Sequence, residues 1–414
     1  MYKHDVMIIG GGASGVFAAV HAAKRGAETI IVERNDRLMR KLGITGKGRC
    51  NLTNNTDIDT MMRNVPSNGR FLYSAFSACE ADYVMSFFEN LGVSLKTERG
   101  NRVFPVSDRA GDIVTALKKE AERLKIKVIH DRVKSISSEC GIFSIKGEED
   151  IYNAAKVILA TGGLSYPKTG STGDGYRIAA ELRHNIIPPK PSLVPVVADE
   201  DVSVLAGLSL RNICVSLYDR MSKRPKTPVY KEQGEMLFTH SALSGPLILT
   251  LSSHIQKAES GRFVISIDLK PALDEKELDN RVLRDFREYK NRWFINSLDK
   301  LLPAKLIPLF AERVGIEPQK RVNEITKDER KRIIKTFKNF EFNFRDFLSF
   351  DSAVITAGGV DIREINPKTM ESRLIPGLYF CGEVMNVSAL TGGFNLHIAF
   401  STAKTAALAA VPLC

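Results

Sequence analysis

Apolar residues near both ends of the chain fall into short unbroken runs rather than alternating ones. Val6-Met7-Ile8-Ile9 is the first run. The turn Gly10-Gly11-Gly12-Ala13-Ser14-Gly15 follows, then an Ala-rich helical stretch from Val16 to Lys24, a stop at Gly26 and a second run, Thr29-Ile30-Ile31-Val32. Unbroken apolar strands suit a parallel sheet covered on both faces. Ala154–Ala160 reads as another such strand, delivered into Thr161-Gly162-Gly163, and Gly377–Cys381 as a third, delivered into Gly382-Glu383. Strands of one sheet are therefore expected at both ends of the sequence.

The middle has a different texture. Strand-like pieces (Cys214–Leu217, Phe263–Leu269) mix with helices that carry their own start signals. Asp274-x-x-Glu277 and Thr326-x-x-Glu329 match the capping box, and Ser244-Gly245-Pro246 reads as a cap followed by a first-turn proline. Pro188-Pro189-Lys190-Pro191 marks a border on the entry side, and Phe342–Phe350 leads back to Ala353-Val354-Ile355. The expected fold class is α/β, with a nucleotide-binding domain (1–190 and 346–414) split by an inserted mixed β/α domain (191–345).

Gly10-x-Gly12-x-x-Gly15 follows a strand, opens a helix and is followed by Glu33 at the end of the next strand, the context of a dinucleotide site. Gly10 permits the tight turn, Gly12 removes the Cβ that would block a pyrophosphate, and Gly15 lets helix and strand pack closely. The pyrophosphate is expected on the helix N-terminus, with Glu33 accepting from the ribose hydroxyls. Late in the chain, Thr391-Gly392-Gly393-Phe394-Asn395 opens an apolar helix whose N-terminus can stabilise negative charge. Reduced flavin carries such charge at its N1–C2=O edge, so the tail points to FAD. Arg40–Asn54 places Arg40, Lys41, Lys47 and Arg49 among three glycines, a loop suited to an anionic cofactor.

Composition narrows the class further. The 414 residues are 43% hydrophobic and 26% charged, which suits a globular chain of two or three domains and excludes disorder and coiled coil. No apolar run reaches the length of a membrane-spanning helix. The start enters a strand within five residues, leaving no room for a signal peptide. Six scattered cysteines (Cys50, Cys79, Cys140, Cys214, Cys381, Cys414) show neither CxxC nor zinc spacing. A reduced, cytoplasmic chain without a metal or a membrane partner is expected. The net charge of +11 admits an anionic cofactor, a nucleic-acid surface or a solvated basic exterior.

GGGASG with Glu33, KLGITGKGRCNLTN, ATGGLSYPKTGSTGDGY, GEMLFTHSALSGP, ITAGGV, TMESRLIPGLYFCGE and TGGFNLHIAF occur in this order over nearly the whole chain. Together they resemble the bacterial flavoprotein family with bile-acid 4,6-reductase-like (BaiN-like) and aminoacetone-oxidase-like members. The resemblance implies a two-dinucleotide-binding-type domain, non-covalent FAD and an insert with a β-rich part and helices. It places Arg49, Cys50, Asn51 and Thr53 along the FAD, Gly382 and Glu383 near the ribitol and phosphates, and Gly392, Gly393, Phe394 and Asn395 under the flavin ring. Ala13, Ser14, Arg34, Lys41 and Val133, with Thr161 and Gly162 of the second glycine turn, complete the expected cofactor contacts. Where relatives carry acidic residues and a glycine, this chain has Val384-Met385-Asn386-Val387-Ser388-Ala389-Leu390, an apolar approach that suits a bulky apolar substrate.

Tyr166 and His240 are the candidate acid–base residues, and Arg102 and His397 the candidate substrate-side residues. The reading is an FAD-dependent oxidoreductase acting on a small molecule by hydride transfer at flavin N5. One version reduces a conjugated C=C of the bile-acid or steroid enone type, with NAD(P)H as a transient donor because no second GxGxxG is present. The alternatives are an amine or aminoketone oxidase using O2, and an RNA-associated flavoprotein. The basic helix Lys327–Lys338 prompts the last, but Ile333, Ile334 and Phe337 give it an apolar stripe, so its charges read as a solvated face and no nucleic-acid partner is expected.

Overall fold

The computed structural model describes residues 4–255 and 257–412, so the first three residues and Cys414 lie outside the described residues. The chain divides into two compact units. One runs to Ser192 and resumes at Ser349; the other is Leu193–Leu348.

The first unit is built on a seven-stranded sheet. Its opening elements are β1 (His4–Ile9), α1 (Ala13–Ala23) and β2 (Thr29–Glu33). β1 lies parallel to β2 on one side, Val6 opposite Thr29, and parallel to Ile151–Leu159 on the other, Ile8 opposite Ile158. Lys127–His130 extends the parallel set beyond β2. Leu378–Phe380, from the far end of the chain, pairs in parallel with Val157–Leu159. The first half of that long strand instead takes the antiparallel hairpin Ser135–Glu139 and Ile142–Lys146. All five residues of β2 are buried, as an unbroken run in a covered parallel sheet demands. The hairpin alternates instead: Phe143 and Ile145 are buried while Ile142 is exposed.

α1 packs on the closing helix Phe394–Ala410, with the Phe17 and Phe400 rings 4.8 Å apart. Ala18, Ala19 and Ala22 on one helix and Ala403, Ala406 and Ala407 on the other have no exposed surface. Small residues at the contact let the two helices approach closely, which ties the first and last segments of the chain together. Pro188-Pro189-Lys190-Pro191 is not a loop border. It lies in a strand, Ile186–Ser192, antiparallel to Ile355–Val360, with the register shifting between Ile187 and Lys190. Prolines are tolerated there because the sheet has two strands only and the irregularity absorbs the missing donors.

The second unit holds a closed barrel, in the order Val196–Ala198, Leu243–Ser244, Tyr230–Phe238, Ser209–Asp219, Phe263–Asp268 and Phe340–Phe347. Phe340, Phe342 and Phe344 have no exposed surface while Glu341 and Arg345 face outward, the period of two that a strand imposes. Both capping boxes are present. Glu277 N–H donates to Asp274 at 2.7 Å and Glu329 N–H to Thr326 Oγ1 at 3.2 Å, with reciprocal bonds of 3.0 and 2.8 Å. Ser244 is not the cap of the helix Pro246–Ser252. Gly245 takes that position, and Ser244 pairs within the barrel. Ile333, Ile334 and Phe337 are buried, so the basic residues of Lys327–Lys338 occupy the other side of that helix.

Candidate cofactor site

The expected cofactor residues of the first unit cluster beyond the C-terminal ends of its parallel strands, the crevice where open α/β sheets bind ligands. The three glycines of the opening turn answer to different requirements. Gly10 adopts φ +104°, and a Cβ on it would lie 2.6 Å from Ala160 O; a Cβ on Gly15 would lie 1.9 Å from Gly10 O. Both serve packing within the chain, including the seat of the second glycine turn at Ala160–Thr161. Gly12 is different. Its φ is −77° and an added Cβ would meet nothing within 4 Å. Neither backbone conformation nor a neighbour demands glycine there, so the open space itself is the reason. Gly12 is also the N-cap of α1, without a capping side chain. The free N–H groups at Ala13 and Ser14 and the positive helix end therefore border a cradle suited to a diphosphate.

Glu33 is 7% exposed. Its Oε2 accepts from Gly11 N–H at 2.7 Å, and its Oε1 from the Asn35 backbone and side-chain amides at 2.8 and 2.6 Å. Each carboxylate oxygen has two lone pairs, so Oε2 keeps one acceptor position for a ribose hydroxyl. Arg34 beside it donates to Thr172 Oγ1 at 2.5 Å and to Asp174 at 3.1 Å. Val133 is buried, two residues past Asp131, whose N–H donates to Glu33 O at 3.1 Å.

The late segment closes on the same helix end. Gly382 has φ +75°, a Cβ on it would lie 2.6 Å from Ser14 Oγ, and its N–H donates to Thr402 Oγ1 at 3.0 Å. Glu383 then anchors a polar cluster. Its Oε1 accepts from Ser165 Oγ at 2.9 Å and Thr356 N–H at 2.7 Å, and its Oε2 from Lys41 Nζ at 2.8 Å. Lys41 Nζ also donates to Ser165 Oγ at 2.5 Å and lies 5.9 Å from the centre of the Tyr166 ring. Tyr166 holds a left-handed conformation, φ +53°, pinned by its N–H to Phe350 O at 3.1 Å and by Thr169 donating to its carbonyl at 2.8 Å. Lys41, Ser165, Thr356, Tyr166 and Glu383 thus converge from four distant parts of the chain.

Several expected contacts are corrected. Cys50 and Thr53 have no exposed surface, so they support the loop rather than touch a cofactor, and burial pushes the Cys50 thiol up to about 12. The Arg49 guanidinium is spent elsewhere: it donates to Asp108 at 2.6 and 2.8 Å and to Glu98, and stacks 4.2 Å from Phe104. The Asn395 amide braces its own loop, accepting from Ala389 N–H at 2.8 Å and donating to Ala389 O and Leu390 O. His397 was expected on the substrate side but has no surface that water can reach, so no substrate reaches it either. Its Nδ1 lies 2.9 Å from Thr53 Oγ1, and burial pushes the ring down to about 4, leaving it neutral. Val384, Met385, Val387 and Ala389 are core residues, 0 to 5% exposed, not an apolar approach for a substrate.

Gly392 and Gly393 stay partly open at the uncapped start of the closing helix, with Phe394 buried behind them. Gly393 is required by the chain itself: its φ is +99° and a Cβ would lie 2.4 Å from Thr53 O. Two buried polar atoms near this crevice, Asn51 Oδ1 and Thr161 Oγ1, have no partner, while Gly162 beside Thr161 remains partly open. Arg102 is exposed on the strand Arg102–Pro105, its Nε donating to Arg99 O at 3.1 Å. His240 is exposed on a turn of the barrel unit. Asn35, Ser165 and Thr356 were not singled out from sequence; Ser165 and Thr356 lie within quoted motifs, but a lone hydroxyl gives no signal until its partners are known.

The donor set fits FAD: an anion cradle at Gly12, an acid at the end of β2, and a second open helix start late in the chain. Among the described residues no group of side chains is arranged to hold a metal ion, and no helix is long and apolar enough to cross a membrane.

Comparison with known proteins agrees with this reading. The family model described as the HI0933-like protein Rossmann domain matches residues 4–409. The chain is 31% identical over 410 residues to a 3-dehydro-bile acid delta(4,6)-reductase from Clostridium scindens, covering 97% of this chain and 98% of that protein. It is 30% identical over 415 residues to a ribosomal RNA dihydrouridine synthase from Haemophilus influenzae, covering 98% of each. In fold it is similar to the 3-ketosteroid-delta4-(5alpha)-dehydrogenase from Rhodococcus jostii RHA1, at TM-score 0.52 and 14% identity over 99% of this chain and 97% of that one.

Proposed function

The chain belongs to the HI0933-like Rossmann family and is an FAD-dependent oxidoreductase, and on that premise we propose that it reduces a C=C bond conjugated to a carbonyl, in a uridine of RNA. The observation that carries the reaction type is near full-length similarity to two kinds of enzyme named for reductive products. A 3-oxo-Δ4,6 steroid and a uracil ring share one reacting unit, an alkene in conjugation with a carbonyl.

Bound FAD supplies what the side chains lack, a hydride carried at N5 of the reduced ring. The chain's own residues do the rest. Gly12 and the start of α1 hold the diphosphate, Glu33 holds the adenosine ribose, and Lys41 with Glu383 orients the middle of the cofactor. The open start of the closing helix favours negative charge at Gly392 and Gly393. Tyr166, pinned in a strained conformation of the kind that clusters at functional sites, delivers the proton to the carbon next to the carbonyl. NAD(P)H serves as the transient electron donor.

Two observations favour RNA over a small apolar enone. The chain carries +11, which a steroid does not need and a polyanion does. In the Val384–Leu390 segment Val384, Met385, Val387 and Ala389 are buried, so these apolar side chains offer a steroid no surface. The test is anaerobic. Enzyme reduced with NAD(P)H is mixed with unmodified ribosomal RNA or with a 4-en-3-one steroid, and flavin reoxidation is followed together with dihydrouridine content. Reoxidation by RNA with dihydrouridine formed is the expected result. Reoxidation by the steroid alone moves the substrate to the small-molecule class; in a separate aerobic assay, rapid peroxide formation with O2 and an amine, without NAD(P)H oxidation, replaces the reductase by an oxidase.

A further inference from the structure

The barrel unit carries a separate candidate site. Residues 281–338 hold sixteen Lys and Arg against eight Asp and Glu, a net +8 out of the chain's +11. Within this stretch lies the single tryptophan of the sequence, Trp293. A tryptophan in water leaves a large apolar surface unburied, yet Trp293 is 44% exposed while Phe294 beside it has no exposed surface.

The segment bearing Trp293 is firmly laced. Val322 N–H donates to Arg292 O at 3.0 Å, Phe294 N–H to Lys320 O at 2.8 Å and Ile295 N–H to Pro318 O at 3.1 Å, with Trp293 paired opposite Arg321. The laced backbone thus holds Trp293 at a defined place on the surface. It lines an open cavity of about 560 Å³ together with Asn291, Arg292, Asn296, Asp299 and Arg321. The Arg292 guanidinium stacks 4.1 Å from the Tyr289 ring and reaches Asp299 at 3.4 Å, while Arg321 donates to Asn291 O. Each guanidinium has five donors, so both retain N–H groups for a ligand. An apolar ligand has no use for the cations and amides, and a bare anion has none for the indole. A nucleotide uses both: its base stacks, its edge meets the asparagines, and its phosphate meets the arginines.

We propose that this cavity binds one unstacked nucleotide of a single-stranded RNA, with the base on Trp293 and the adjoining phosphate on Arg292 and Arg321. The choice of RNA as polymer rests on the proposed function, while the contact itself is an anchoring site distinct from the residues that hold FAD.

Because Trp293 is the only tryptophan, its emission reports on this cavity alone. The holoenzyme is titrated with a short single-stranded oligouridylate, following tryptophan emission and, in parallel, the anisotropy of a labelled copy. Saturable quenching is expected, with both signals giving one affinity. Trp293→Ala should weaken binding about ten-fold or more and Trp293→Phe far less, with the flavin spectrum and circular dichroism unchanged. Arg321→Ala should lower the salt slope of binding by about one. Binding without quenching, Trp293→Ala affinity equal to wild type, or equal quenching by heparin would each overturn the proposal. None of these readouts involves turnover. An enzyme that reduces RNA but binds equally well without Trp293 disproves the anchor alone, and one that binds through Trp293 but reduces only steroids disproves the proposed substrate alone.

Discussion

Gly12 and Gly393 both stand at the start of a buried helix, but only one of them is required by the chain. A side chain at Gly393 runs into Thr53 O, whereas a side chain at Gly12 enters empty space. Gly12→Val should therefore fold normally and lose FAD, with flavin absorbance per mole of protein at least about ten-fold lower, as expected when two or more charge-assisted bonds of about 1.5–3 kcal/mol each are lost. A fully yellow Gly12→Val preparation would place the diphosphate elsewhere. Glu33→Ala tests the neighbouring contact. Loss of its charge-assisted bonds should weaken FAD by about 1–3 kcal/mol, read by titrating apoprotein with FAD. Unchanged affinity would reduce Glu33 to a brace between Gly11 and Asn35.

Among the elements, the helix starts are the parts whose stability is easiest to probe. Thr326 Oγ1 accepts from Glu329 N–H at 3.2 Å and the Glu329 carboxylate answers at 2.8 Å. Thr326→Ala should cost about 0.5–2 kcal/mol in denaturant unfolding of the barrel unit; no change would mean that water replaces the hydroxyl there. Such boxes are legible in sequence because both partners lie within four residues. The opening strand–turn–helix–strand was legible for the same reason, and the parallel strands betrayed themselves as unbroken apolar runs. The barrel was not legible. Val196–Ala198 and Leu243–Ser244 are too short to show any period, and closure is set by pairings far apart in the chain. At the site, Gly12 and Glu33 stand out as candidates by motif and spacing, and Glu383 by the family resemblance. Arg49 was misjudged because the carboxylates that claim it, Glu98 and Asp108, lie far along the sequence. His397 was misjudged because a helix that is apolar nearly all round gives no sign of which side faces a ligand.

Across the whole molecule, burial rather than pairing governs four histidines. It pushes His21 and His397 down to about 4 and lowers His184 and His254 as well. An unfolded histidine titrates near about 6.5. As pH falls from there toward 4, the unfolded chain takes up protons that the folded chain refuses. For His21 and His397 the contribution to stability is therefore complete above about pH 6.5 and is lost through that window, at up to about 1.4 kcal/mol per pH unit for each of the two. Thermal unfolding at pH 7 and pH 5.5, before the carboxylates titrate, should show a clear drop, smaller in a His21→Gln/His397→Gln variant. A flat profile would mean that these rings are charged in the fold.

The seating of Gly382 against Ser14 sets an order of events in the cell. Ribosomes make the opening turn first and the residues that close over it only after the entire barrel unit has been synthesised. Prosthetic-group capture is therefore a late act of biogenesis, and a nascent chain stalled before the closing helix stays colourless however well its opening turn has formed.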